Sequence, residues 1–157
     1  MKNILELEDE IRKIVESCAN DIELTRVDHE TEEEIKDKLQ VFVGAIPRED
    51  LDTLAPCAVV TTLKGTNSLD EKRLNTIVSL AIYNKDTRKG YEEIYNLLEI
   101  ISKTLIEKAI VLDEYEVLPE YKWELPEVQP YPIHGIDITF NILARNTYRR
   151  DVDVWEE

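Results

Sequence analysis

The chain has 157 residues, 43% of them hydrophobic and 34% charged, with a formal net charge of −15 at pH 7. That length supports one domain with a real core, and no apolar run approaches the roughly 20 residues needed to span a bilayer. So large a carboxylate surplus repels phosphate backbones, which argues against specific nucleic-acid binding and leaves solubility as the plain reading of the charge.

The charge is uneven. Residues 1–54 carry 16 acidic and 7 basic side chains, a balance of −9; residues 55–110 carry 7 and 8, or +1; residues 111–157 carry 11 and 4, or −7. Met1-Lys2-Asn3-Ile4 is followed at once by Glu6, Glu8, Asp9 and Glu10, unlike a secretory leader, so the expected compartment is the cytoplasm. Cys18 and Cys57 read as two small buried hydrophobes in a reducing compartment; a bridge would need their Cα atoms within roughly 7 Å.

A first helix is expected over residues 2–19, with Ile4, Leu7, Ile11, Ile14 and Cys18 forming one apolar stripe at spacings of three and four. Residues 20–30 have little periodicity and suggest a short strand or loop around Ile22 and Leu24. Thr31-Glu32-Glu33-Glu34 matches a capping box and predicts a short helix carrying Ile35 and Leu39. Val41-Phe42-Val43 reads as a strand ended by Gly44 and Pro47, and residues 48–54 as a helical turn broken by Pro56.

Residues 57–63 are β-branched and short, and predict a strand that ends in a turn made by Lys64, Gly65, Thr66, Asn67 and Ser68. Residues 72–83 predict the next strand, with Thr76, Val78, Leu80 and Ile82 on one side. Asp86 or Thr87 is positioned to cap a long helix over residues 89–110, whose apolar face holds Ile94, Leu97, Leu98, Ile101, Leu105 and Ala109. Residues 111–118 predict a strand interrupted by Pro119, and Tyr121-Lys122-Trp123-Glu124-Leu125 alternates again in the manner of a sheet edge. Pro126, Pro130 and Pro132 force an extended connection to residues 135–144, which alternate apolar and polar side chains almost without error. Residues 146–157 leave the pattern and read as a C-terminal arm beyond a single domain of residues 1–145.

The fold class that follows is α+β: a single small, mainly antiparallel sheet with an N-terminal helix and one long central helix packed on it. Chemistry is sparse. His29 and His134 lie far apart, and no Cys or His pair recurs at zinc-ligand spacing. His134 precedes Gly135 in a Pro-rich turn, where a surface or edge histidine is expected. Gly44, Gly65, Gly90 and Gly135 are scattered, so no phosphate-cradling loop is recognisable, and Lys64-Gly65-Thr66 reads as a hairpin tip. The expectation is a non-enzyme with no catalytic residue, cofactor or metal.

Aromatic residues carry a weaker signal. Tyr115, Tyr121, Trp123 and Tyr131 follow the long helix, where they either cover one end of the core or meet a partner. Trp155, with Val152 and Val154 set between charges, is the best candidate for contact with another chain.

Three stretches resemble the tail-terminator proteins of long-tailed bacteriophages and the related minor tail or neck proteins. They are Val60-Thr61-Thr62-Leu63-Lys64-Gly65, Gly90-Tyr91-Glu92-Glu93-Ile94-Tyr95-Asn96-Leu97-Leu98 and Tyr131-Pro132-Ile133-His134-Gly135-Ile136-Asp137-Ile138-Thr139-Phe140. The resemblance covers residues 55–145. It implies a small fold with a mainly antiparallel sheet and a homo-oligomer, a six-membered ring that caps the tail tube and stops its polymerisation. The implied partners are the major tail tube protein and the head–tail connector or stopper protein. The implied location is the head–tail junction of the virion, and the host cytoplasm during assembly. DNA would pass through such a ring without specific binding, and the family has no catalytic residues to carry over.

The candidate contact residues are therefore Lys64, Gly65, Thr66, Asn67 and Ser68 in the loop, with Arg149, Arg150, Val152, Val154 and Trp155 in the arm. The competing readings are another neck or tail-completion component, and a small acidic inhibitor-type protein that masks a basic partner. The −15 charge motivates the latter.

Overall fold

Two thirteen-residue segments, Glu71–Tyr83 and Ile133–Arg145, pair antiparallel without a break, from Glu71 opposite Arg145 to Tyr83 opposite Ile133. Both alternate apolar and polar residues, so their pairing puts one row of apolar side chains on each side of the same interface. The computed structural model describes residues 3–28, 30–44 and 54–145. In chain order the elements are α1 (Ile4–Cys18), β1 (Leu24–Val27), β2 (Glu34–Asp37), β3 (Gln40–Val43), β4 (Cys57–Asn67), β5 (Glu71–Tyr83), α2 (Thr87–Lys108), β6 (Ile110–Val111), β7 (Tyr115–Glu124) and β8 (Ile133–Arg145).

Six strands form one sheet in the order β3-β4-β5-β8-β7-β6, antiparallel throughout except for the parallel pair β3–β4. β1 and β2 form a separate antiparallel ribbon. The class is α+β as expected, although the sheet is larger than the small one anticipated.

One sheet face carries Leu74, Thr76, Val78, Leu80 and Ile82 from β5, with Ile136, Ile138, Phe140, Ile142 and Ala144 from β8. All ten are buried. Both helices supply the other half of this core, through Leu7, Ile11 and Val15 of α1 and Ile94, Leu97, Leu98, Ile101 and Leu105 of α2. A smaller cluster of Ala55, Cys57, Val59 and Ala81, flanked by Phe42, Tyr83 and Ile133, lies apart from it.

α1 starts where Asn3 Oδ1 accepts the Glu6 amide at 2.8 Å. Its buried stripe is Leu7, Glu8, Ile11 and Val15, while Ile4, Ile14 and Cys18 sit at its margin, partly buried. The stripe is rotated from the expected one because Val15 and Ala19 take the inward positions. α2 is capped by Asp86, whose carboxylate accepts the Lys89 amide at 3.2 Å, and its 22 residues span roughly 33 Å. Burial raises the pKa of the Cys18 thiol.

Three expectations about secondary structure are corrected. The capping box at residues 31–34 does not open a helix: Glu34–Asp37 is β2, paired with β1 from Val27–Glu34 to Leu24–Asp37. Thr31 Oγ1 accepts the Glu33 amide, Glu32 takes a left-handed φ of 58°, and the Glu32 amide reaches the Asp28 carbonyl at 2.7 Å, so these residues close a hairpin turn. Two apolar residues, Ile35 and Leu39, were too few to hold a helix against that turn.

The second correction is at Pro119, which does not split two strands. β7 runs through it, and a register irregularity between Val117 and Tyr121 absorbs the residue that lacks an amide proton. Residues 110–111 form the separate strand β6, joined to β7 by a turn with Leu112 and Asp113 at positive φ. The third correction, the turn expected at residues 64–68, bears on the contact surface below. The helical turn expected at residues 48–54 falls, apart from Leu54, outside the described residues.

Candidate interaction surface

Lys64, Gly65, Thr66 and Asn67 are strand residues, not a turn. β4 continues to Asn67, and the chain reverses over residues 68–70, where the Ser68 amide donates to the Glu71 carbonyl at 2.8 Å. The β4–β5 hairpin is thus longer than its apolar content suggested, and residues 63–70 are exposed on it. Leu63 and Leu69 show 66% and 62% of their surface to solvent.

A bulge makes this extension. Thr62 pairs with Thr76 and Lys64 with Asn75, so Leu63 is the extra residue. The insertion inverts the alternation, turning Lys64 onto the face of Asn75 and Gly65 onto the face of Leu74. Gly65 is required there: a Cβ would lie 2.7 Å from Leu74 Cδ2 and 2.9 Å from the Arg73 carbonyl oxygen. Three concavities of about 280, 310 and 580 Å³ flank the hairpin, and Lys64 lines all of them.

On its outer side β4 is paired by β3 only from Cys57 to Val60, after which the Thr61 hydroxyl donates to the Gly44 carbonyl at 2.6 Å. Glu8 of α1 then accepts the Thr62 amide at 2.6 Å. Beyond this point, among the described residues, no strand lies beside residues 63–67. Alternate residues of an antiparallel strand aim their amides and carbonyls away from the partner, so this stretch presents backbone hydrogen-bonding groups to whatever adjoins it. The sequence reading placed Glu8 only among the acidic residues early in the first helix, yet it stands at i, i+3 and i+7 with Ile11 and Val15, which marks it as inward-facing.

At the opposite end of the sheet, His134 is 2% exposed, which corrects the expectation of a surface histidine. It pairs with Ile82 and shares the inward face with Ile136, so the period of two, carried back one step from Ile136, places it inside. Its Nε2 donates to the Asn84 carbonyl at 3.1 Å, Tyr91 packs edge-on at 5.2 Å, and Gly90 leaves space for the ring. Asn84 Nδ2 in turn donates to Glu93 Oε1 at 3.1 Å, and burial raises the Glu93 pKa, opposed by the Asn84 bond and by Lys36, His134 and Lys89. These contacts tie the start of α2 to the start of β8. Among the described residues, no group of three or more His, Cys, Asp or Glu side chains converges as a metal site would require. No helix among them is long and apolar enough to cross a membrane.

The aromatic residues divide. Tyr115 is fully buried and Tyr121 packs 5.9 Å from Phe140, so both belong to the core. Trp123, 47% exposed, stands edge-on to Tyr95 at 5.7 Å, and the exposed Tyr131 donates its hydroxyl to the Lys85 carbonyl at 2.8 Å. Among the described residues β6 pairs β7 only at Tyr115 and Glu116, so the sheet-edge position expected for residues 121–125 is found at residues 121–124. His29, Arg149, Arg150, Val152, Val154 and Trp155 lie outside the described residues.

No protein-family model and no curated protein sequence matches the chain. Among solved structures, a chain from the "Virion of native gene transfer agent (GTA) particle" is similar to it, with 14% identity and a TM-score of 0.45, over 68% of this chain and 78% of that one.

Proposed function

We propose that the protein is a structural subunit of a phage-like virion, and within that class a tail terminator. It assembles into a ring that caps the tail tube, ends tube polymerisation and offers a surface to the head connector. The role is mechanical and involves no catalysis. The observation that carries it is the hairpin extension of β4 and β5, which projects exposed leucines and a strand edge without a partner strand among the described residues from a well-packed body. Such features have no use in the isolated subunit and suit head-to-tail contacts that close into a ring. The resemblance of residues 55–145 to tail terminators supports the same reading.

Electron microscopy of particles assembled without this gene product tests the proposal. Tubes of uncontrolled length lacking heads are expected; tubes of normal length with heads attached would refute it. The second reading, an acidic inhibitor-type module, is favoured by the −15 charge alone. It requires a one-to-one complex with a basic protein that weakens steeply with salt.

A further inference from the structure

Among the described residues the sheet has a half-open edge on each side, and the two openings lie at opposite heights. β3 covers β4 from Cys57 to Val60 and leaves residues 63–67, toward the hairpin tip. β6 covers β7 at Tyr115 and Glu116 and leaves residues 121–124, toward the base, between Pro119 and Pro126. Register across the sheet puts Trp123 level with Ile138, Val78 and Val60, a row that β3 covers at the other edge. β4 runs antiparallel to β5, β5 to β8 and β8 to β7, so β7 runs antiparallel to β4. Two copies in like orientation can therefore join β7 of one to β4 of the next as an antiparallel pair.

Backbone alternation agrees. The Ser68 amide donates to the Glu71 carbonyl, so two and four rungs from the tip Gly65 and Asn67 aim their amides and carbonyls away from β5. Carried across the sheet, the same alternation turns Tyr121 and Trp123 away from β8, in phase with the Val117 amide, which donates outward to the Ala109 carbonyl at 2.7 Å. One register engages all four residues: Gly65 opposite Trp123 and Asn67 opposite Tyr121. On the face away from the helices it sets Lys64 opposite Glu124 and Thr66 opposite Lys122, all four exposed or half-exposed. Sliding the pair two residues either way would instead set Lys64 opposite Lys122 or Pro126.

On the helix face Trp123, beside Tyr95, meets a residue without a side chain, next to the concavity of about 310 Å³ walled by Ile4 and Leu74. The offset between copies, from the row of Leu74 to that of Val78, is roughly 14 Å along the strands. With that offset the neighbour's hairpin tip stops short of β6, and its β3 lies past Glu124. A constant stagger at each seam is what a sheet needs in order to close on itself.

We infer that residues 64–67 of β4 in one copy pair antiparallel with residues 121–124 of β7 in the next, with Trp123 over Gly65 and Glu124 against Lys64. The inference rests on the self-assembly proposed above and names its contact.

The test uses two full-length variants, Thr66→Cys and Lys122→Cys, one carrying a size tag, mixed and oxidised in air beside the parent protein. These positions form a non-hydrogen-bonded pair, where facing side chains come closest. A cross-linked heterodimer absent from the parent is expected. Adding Lys64→Glu to the Thr66→Cys chain should lower its yield about tenfold, and adding Glu124→Lys to the partner chain should restore it. Rings seen by microscopy without this cross-link, or a yield indifferent to both charge reversals, would overturn the contact and leave self-assembly standing. A protein that stays monomeric at every concentration and on tail tubes would overturn both.

Discussion

Glu8 in the first helix accepts the backbone amide of Thr62 at 2.6 Å, a side chain standing where the sheet would otherwise have another strand. The Thr62 hydroxyl meets that of Thr76 at 2.9 Å in the same place, so a small polar knot fastens α1 to β4 at the base of the hairpin. Removing the carboxylate leaves a part-buried amide without a partner. Glu8→Ala should lower stability by about 1–3 kcal/mol, read as a fall in melting temperature, with Glu8→Gln recovering most of it because its amide oxygen still accepts. Equal stability of Glu8→Ala and the parent would show that the bond contributes nothing.

Gly65→Ala should distort the hairpin and spare the body. The Arg73 carbonyl, 2.9 Å from the position of an added Cβ, belongs to the backbone and cannot swing aside. Hydrogen exchange should quicken at residues 63–73 while the amides of β8 beside α2 keep their protection, and global stability should fall by about 1–3 kcal/mol. Undiminished protection of the hairpin would count against this account.

Gly90→Ala sets two effects against each other. Helix propensity alone favours alanine by about 1 kcal/mol inside a helix. Here the added methyl would enter the space of the buried His134 ring, which is held by Asn84 and Tyr91. The clash should win, giving a net loss of about 1–3 kcal/mol. In a His134→Ala background the same substitution should cost nothing or stabilise. A double-mutant cycle by chemical denaturation measures the coupling, and additive effects would contradict it.

Burial holds the Glu93 pKa above its ordinary range, against the pull of Asn84, Lys36, His134 and Lys89. A carboxyl raised in the folded state binds its proton more tightly there than in the unfolded chain. Its stabilising contribution is therefore complete below the unfolded pKa and is lost as pH rises through the folded one. Glu93→Gln keeps the oxygen that accepts from Asn84 and removes the charge. It should be more stable than the parent at neutral pH, with the difference vanishing in acid. Unfolding curves from acid to neutral pH provide the measurement; a constant difference would mean the carboxyl is not the cause.

Where a periodic pattern was long, it was legible. The alternation of residues 135–144 and of Thr76, Val78, Leu80 and Ile82 marked the two central strands and their inward faces, because each had a full row of apolar partners. The face of α2 was equally plain through Ile94, Leu97, Ile101 and Leu105. Short segments misled where a local motif had two uses. Thr31 and Glu34 fit a capping box, but the same threonine also closes an ST-type turn, and cross-strand pairing with β1 decided between them. Lys64-Gly65-Thr66-Asn67-Ser68 has the composition of a turn. Gly65 serves instead to let Leu74 lie close across a strand pair, a demand visible only once Leu63 is known to be a bulge. Glu8 and His134 were hidden for one shared reason: their chemistry suggests solvent, while their periodic positions point inward.

The unbroken ladder between β5 and β8 has a mechanical consequence. Its thirteen rungs lie side by side along the strand axis, from Glu71–Arg145 at the hairpin tip to Tyr83–Ile133 beside the long helix. A pull on the tip along that axis, as when a filament is tugged endwise, loads all the rungs in shear at once, whereas a sideways pull would unzip them singly. The molecule is therefore stiffest along the one direction in which its projecting hairpin can be drawn.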